Sequence, residues 1–401
     1  MIDGKQMLGC KGFTPIAVVN ASFAIYFIPL MLVILSGESL VESVNPRYLS
    51  YPFLVIMINI ISLFMMNLIC LSASLMAFRV APTSTFPTRI KALVIGFYIL
   101  LSFGSIAYLE LRLEIAELAR LLIQDPLMYL VEQRQVGINL NGGGLLKYYF
   151  LSHLSFVTIY ICMKLIRSRN KLISYFLAVV YFGLLIFFYF ISRREAIIFG
   201  CLIIFFSYRD FFRGFKAAFL LFVLLLIFLI TINIRSGSNS LFDVMGFVLS
   251  QEFYPFQAGA VLVDEWIRRP SYNSLLEITP AMFFVPEFET LSSRSMYEEF
   301  GLQGPGPTVG IAYAVVKYAV FGPLVVFSIA VFIGSTIYKN ATAEKNGWVW
   351  IPLYSFFVLK LFLLVRNGEF ANFFIDILIF IIFYIPILIF FQNTKKKAAY
   401  E

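Results

Sequence analysis

Trp348–Phe391 reads WVWIPLYSFFVLKLFLLVRNGEFANFFIDILIFIIFYIPILIFF, two apolar runs parted only by Arg366-Asn367-Gly368-Glu369. Each run, Trp348–Val365 and Ala371–Phe391, is close to the ~20 apolar residues that carry a helix across a hydrocarbon core. In lipid every backbone N–H and C=O must be satisfied inside the segment, so the stretch predicts a helical membrane hairpin. The alternating pattern of a membrane β-barrel is absent. Lys360 and Asp376 lie six to seven residues below the turn on either side, about 9–10 Å deeper at 1.5 Å per residue. That depth predicts a buried pair that fixes the hairpin.

Outward from this hairpin the rest of the chain repeats the pattern. Of 401 residues, 60% are hydrophobic and 13% charged, against about 25% charged in a soluble domain. Further spans are expected at Thr14–Ser36, Pro52–Ala77, Ala92–Leu111, Tyr148–Leu165, Leu172–Ile191, Glu195–Ser207, Ala217–Ile234 and Gly310–Ile337. The fold class is therefore an all-α polytopic membrane protein of about ten helices. With the N-terminus inside, every second loop is basic, from Lys5 and Lys11 through Arg79, Arg89 and Lys91 to Lys395-Lys396-Lys397. The positive-inside rule then places both termini in the cytoplasm. Residues 1–234 form a first bundle of seven spans, 235–309 a large external loop, and 310–401 three more spans and a tail. The net charge of +8 is spread over short loops and indicates lipid anchoring rather than nucleic-acid binding.

The external face is unusual in its cations. Arg193, Arg194, Arg235, Arg268, Arg269, Arg294 and Arg366 fall there with almost no Lys beside them. Arginine presents a planar fork of donors that matches phosphate or carboxylate, which a lysine point charge does not. Ser192-Arg193-Arg194-Glu195 precedes a run of only about 13 apolar residues, too short to cross unaided, so this turn should be drawn below the interface. Arginine at mid-bilayer costs about 2.5–3.5 kcal/mol. Pairing with Glu195 and lipid headgroups offsets part of that cost; a phosphate clamp is the functional alternative. Arg366 faces the same choice between a local ion pair with Glu369 and an anionic ligand.

The large loop carries aromatics throughout and is divided by Pro255, Pro270, Pro280 and Pro286, a composition that folds as short helices. Glu252 stands beside Phe253 and Tyr254, where partial desolvation would raise its pKa and suit it to act as a general base. Glu369 is the second candidate, and Asp264, Glu265, Glu298 and Glu299 compete. Before it, Arg112–Leu122 interleaves charge with Leu and Ile as an amphipathic helix. No phosphate-binding glycine loop, dinucleotide fingerprint or Asp-x-Asp pair occurs, so neither a nucleotide nor a metal cofactor is indicated. The only histidine, His153, lies within a span and reads as a bundle hydrogen-bonder, and the four cysteines lack a CxxC spacing.

Several of these features together resemble the Wzy-type polymerases of bacterial O-antigen and capsular repeat units. The resemblance covers most of the chain: Phe- and Ile-rich spans, a large external loop in the second half, Ser192-Arg193-Arg194-Glu195, Gln251-Glu252-Phe253, and Gly304-Pro305-Gly306-Pro307-Thr308 leading to Gly310 and Tyr313. This chain lacks the acidic residue that relatives often carry just before Tyr313. The resemblance implies a metal-independent glycosyltransferase of the bacterial inner membrane, without cofactor. It implies Arg193, Arg194, Arg235, Arg294 and Arg366 on the pyrophosphate or glycan, and Glu252 or Glu369 as the catalytic carboxylate. Its substrate would be an undecaprenyl-pyrophosphate-linked glycan, and its partners a chain-length regulator and a flippase. An O-antigen ligase is the nearest alternative, although the large loop lacks the histidine that ligases carry there. A lipid-linked oligosaccharide flippase is the other, although no internal repeat is visible.

Overall fold

The computed structural model describes residues 12–36, 52–80, 194–207, 321–343, 347–367 and 370–392, with isolated positions between 93 and 155. Six α-helices fill these stretches: α1 (Pro15–Ser36), α2 (Pro52–Met76), α3 (Arg194–Ser207), α4 (Phe321–Ala341), α5 (Ile351–Asn367) and α6 (Phe370–Gln392). A 3₁₀ turn, Gly347–Trp350, leads into α5. Among the described residues there is no strand. Three helical stretches are long and apolar enough to cross a bilayer: Asn59–Met76, Leu324–Ala341 and Gly347–Arg366.

Local chemistry accounts for the helix ends. Pro15 and Pro52 open α1 and α2 at the first helical position, where a missing N–H costs nothing. Thr14 caps α1, its Oγ1 accepting from the Ala17 N–H at 3.2 Å. Within the helices Ser22, Ser155, Ser328 and Ser355 donate to the carbonyl four residues back, which satisfies each hydroxyl without a partner helix. The boundaries of the six helices agree with the sequence-based spans to within four residues wherever both fall within the described residues; the expected start of the α4 span at Gly310 lies outside them. The segments expected at Ala92–Leu111, Tyr148–Leu165, Leu172–Ile191 and Ala217–Ile234, and the large loop, lie outside the described residues. The few described positions in the first two of these segments, Leu93, Gly96, Leu100, Leu151, Ser152 and Ser155, are helical, as are Arg120 and Gln124 in the loop that follows the first.

α5 is the hub. Residues 351–360 are buried without interruption, and α1, α3, α4 and α6 all pack on it, while α2 packs on α1 and α4. α4 crosses α5 so closely at Gly334 that a Cβ there would overlap the Phe357 ring. Tyr338 meets Tyr354 near one end of this pair, and Phe327 meets Phe370 and Phe373 near the other, so α4 and α5 are antiparallel. Lipid tails are as apolar as Leu, so helix association in a bilayer rests on packing and on interhelical hydrogen bonds. Among the described residues several such hydrogen bonds join the helices. Asn67 donates to Asn20 Oδ1 across α1 and α2 at 2.9 Å. Tyr354 OH donates to the Phe13 carbonyl. Tyr384 OH donates to the Val349 carbonyl at 2.9 Å. At the C-terminal end of α2, Lys339 Nζ donates to the Ala77 carbonyl at 2.6 Å, and Asn340 Oδ1 accepts from the Val80 N–H at 2.9 Å. A cation at a helix C-terminus also complements the helix dipole.

These contacts sort the charges by end. Phe13, Ala77–Val80 and Lys339 mark one end of the bundle, whereas the C-terminus of α5 with Arg366 lies at the other.

Candidate functional site

The hairpin formed by α5 and α6 is closed by only residues 368 and 369. Arg366 does not stand in the turn itself, because α5 runs on through Asn367 and places Arg366 in its last helical turn. Its side chain is partly exposed, with Nε buried.

Below Arg366, Lys360 Nζ and Asp376 Oδ2 form an ion pair at 2.5 Å, their side chains 6% and 16% exposed. This is the pair the sequence predicts, at the predicted depth. Lys360 Nζ also lies 5.4 Å from the centroid of Phe356, within cation–π range. Phe356 stacks on Phe380 of α6 at 4.1 Å, and Phe199 of α3 meets both rings edge-on, at 5.8 and 5.5 Å. Three helices thus contribute one ring each to a single aromatic layer. Edge-to-face and offset-stacked geometries are those the ring quadrupoles favour.

The register of this layer locates the head of α3. Along α3, Phe199 contacts Phe356, while Phe206, seven residues on, contacts Tyr354 and Phe13. α3 therefore runs antiparallel to α5, and its first residue, Arg194, comes to the same end of the bundle as Arg366. At 1.5 Å per residue Arg194 stands about 7–8 Å beyond the aromatic layer and Arg366 about 15 Å beyond it. The sequence marked both arginines separately; the packing of α3 on α5 puts their backbone positions at one end, one helix-turn and a little more apart in height.

Arg193, Arg235, Arg294, Glu252 and Glu369 lie outside the described residues, as do His153 and the competing carboxylates of the large loop. Of the candidate phosphate-binding arginines, the structure places the helix position of Arg194 and the side chain of Arg366.

Sequence reasoning missed the aromatic layer. Its signal was nevertheless present: Phe356 precedes Lys360 by four residues and Phe380 follows Asp376 by four, so each charge has a Phe one turn further from the hairpin turn on the same face. It also missed the clasp of Lys339 and Asn340 on α2, for which separation of about 260 residues leaves no local sign.

Compared with known families, characterised proteins and solved structures, the chain matches none.

Proposed function

We propose that this protein is a multi-pass inner-membrane glycosyltransferase that polymerises undecaprenyl-pyrophosphate-linked oligosaccharide repeat units, with ten spans, both termini cytoplasmic and the arginine-bearing end of the bundle external. The observation that carries the reading is the gathering of Arg194 and Arg366 at one end of a membrane-embedded bundle whose other end carries Lys339. Composition alone explains a membrane helix; it does not explain arginine positions collected at the end where an anchored anion would arrive.

The chemistry needs little more than such groups. The acceptor sugar hydroxyl attacks the anomeric carbon of the donor glycan, the bond to the pyrophosphate oxygen breaks, and undecaprenyl pyrophosphate leaves with the electron pair. Fixed donors stabilise the charge developing on that leaving group; in a site sheltered from water one such donor contributes about 10²–10³ in rate. A carboxylate takes the hydroxyl proton, and Glu252, with Glu369 second, is the residue assigned to it. Neither a nucleotide nor a metal is required for a donor that is already activated.

The test is polymer formation from purified lipid-linked repeat units in proteoliposomes. Arg366→Ala is expected to lower the rate about 10²–10³-fold at unchanged protein level, and Arg366→Lys to recover only part of it, because a point charge lacks the bidentate fork. Normal polymerisation by both Arg194→Ala and Arg366→Ala would remove the reading.

A further inference from the structure

We propose that the Lys360–Asp376 pair is the positioning element for Arg366: it selects one axial register of α5 on α6 and so holds Arg366 at a set height relative to α6. This rests on the reading of Arg366 as a pyrophosphate-binding residue.

The argument starts from what the two helices otherwise offer each other. α6 from Phe370 to Gln392 is nearly all Phe, Ile and Leu, and its one charged residue is Asp376. α5 offers an equally apolar surface in which Lys360 is the only charge before Arg366. Apolar side chains of similar size pack acceptably in more than one register, and lipid adds no drive to choose among them. The Tyr384–Val349 hydrogen bond ties the two arms of the hairpin far from Arg366, and the ion pair ties them near it. A slip of one turn moves Arg366 by 5.4 Å, more than a bidentate contact to a phosphate tolerates. The ion pair penalises every slipped register, since each would leave a charge buried without its counterion. Its 2.5 Å contact and the ring of Phe356 beneath Lys360 fix height and rotation together.

A pair present only for stability makes a different forecast, because a buried ion pair exchanged for well-packed apolar residues is commonly neutral or stabilising. Lys360→Met/Asp376→Leu therefore separates the two roles, and Lys360→Arg serves as the conservative variant that keeps the pair. Spin labels at Leu363 and Ile382, in a variant whose native cysteines are replaced by Ala, report the α5–α6 register by pulsed dipolar spectroscopy in nanodiscs. Binding of inorganic pyrophosphate by unlabelled protein is measured beside it.

The wild type and Lys360→Arg are expected to give one narrow distance distribution and the same pyrophosphate affinity. The apolar pair should give a broadened distribution, or one displaced by about one turn (5.4 Å), and bind pyrophosphate at least ~10-fold more weakly at a comparable denaturation midpoint, the factor that costs about 1.4 kcal/mol. Should the apolar pair fail to insert, Lys360→Gln/Asp376→Asn is read the same way. A narrow, unshifted distribution in the apolar pair overturns the proposal, as does a changed register with unchanged pyrophosphate affinity. A wild type that binds no pyrophosphate refutes the reading of Arg366 instead, and the distance distributions still decide the register.

Discussion

α2 and α5 are alike in composition and opposite in circumstance. α2 turns Met57, Ile60, Ile61, Phe64, Leu68, Leu71 and Leu75 outward, Leu75 with 77% of its surface exposed, while α5 is buried from Ile351 through Leu361. Hydrophobicity did not choose between them, since in a bilayer a Leu facing lipid and a Leu facing protein are nearly equivalent. Polar side chains did. α2 has its buried polar residues, Asn59 and Ser62, on one face. α5 carries Tyr354 and Lys360, whose contacts point to two different neighbours, the segment that leads into α1 and α6 respectively. The helix with polar contacts on more than one side becomes the centre, and the helix with a largely apolar side lends that side to the lipid.

The comparison breaks most visibly at Lys360. Lys360→Met alone leaves Asp376 buried against an apolar neighbour, and the expected loss is about 3–5 kcal/mol of stability, read as a fall in the detergent-unfolding midpoint or as failure to accumulate. A smaller effect is expected at the helix crossing. Gly334→Val forces bulk onto the Phe357 ring, and overpacking of this kind costs about 1–3 kcal/mol; a midpoint equal to wild type would mean that α4 and α5 separate without penalty. The smallest effect belongs to the exposed face of α2. Phe64→Ala should change the midpoint by less than about 0.5 kcal/mol, the range of surface substitutions away from special features. If it cost as much as Gly334→Val, α2 would be covered by protein rather than lipid, and the contrast with α5 would disappear.

How far the sequence went differs along the chain. The hairpin was legible because its two charges sit at equal distances from a short turn, and symmetry about a turn converts directly into depth along antiparallel helices. Arg366 belongs to the last turn of α5, which continues through Asn367, whereas the sequence reading puts it in the bend itself.

By itself the sequence determined that the described segments are helical and apolar, because these properties depend on residue type and run length. It also determined that Lys360 and Asp376 would have to meet, because neither charge is tolerated alone at that depth. Only the tertiary structure decided that α5 is central, that Phe199 joins Phe356 and Phe380 in one layer, and that Arg194 comes to the same end as Arg366. Those outcomes depend on which of many near-equivalent apolar surfaces pack together. A lipid environment makes such surfaces almost equal in energy, so the choice passes to hydrogen bonds, ring contacts and the Lys360–Asp376 ion pair.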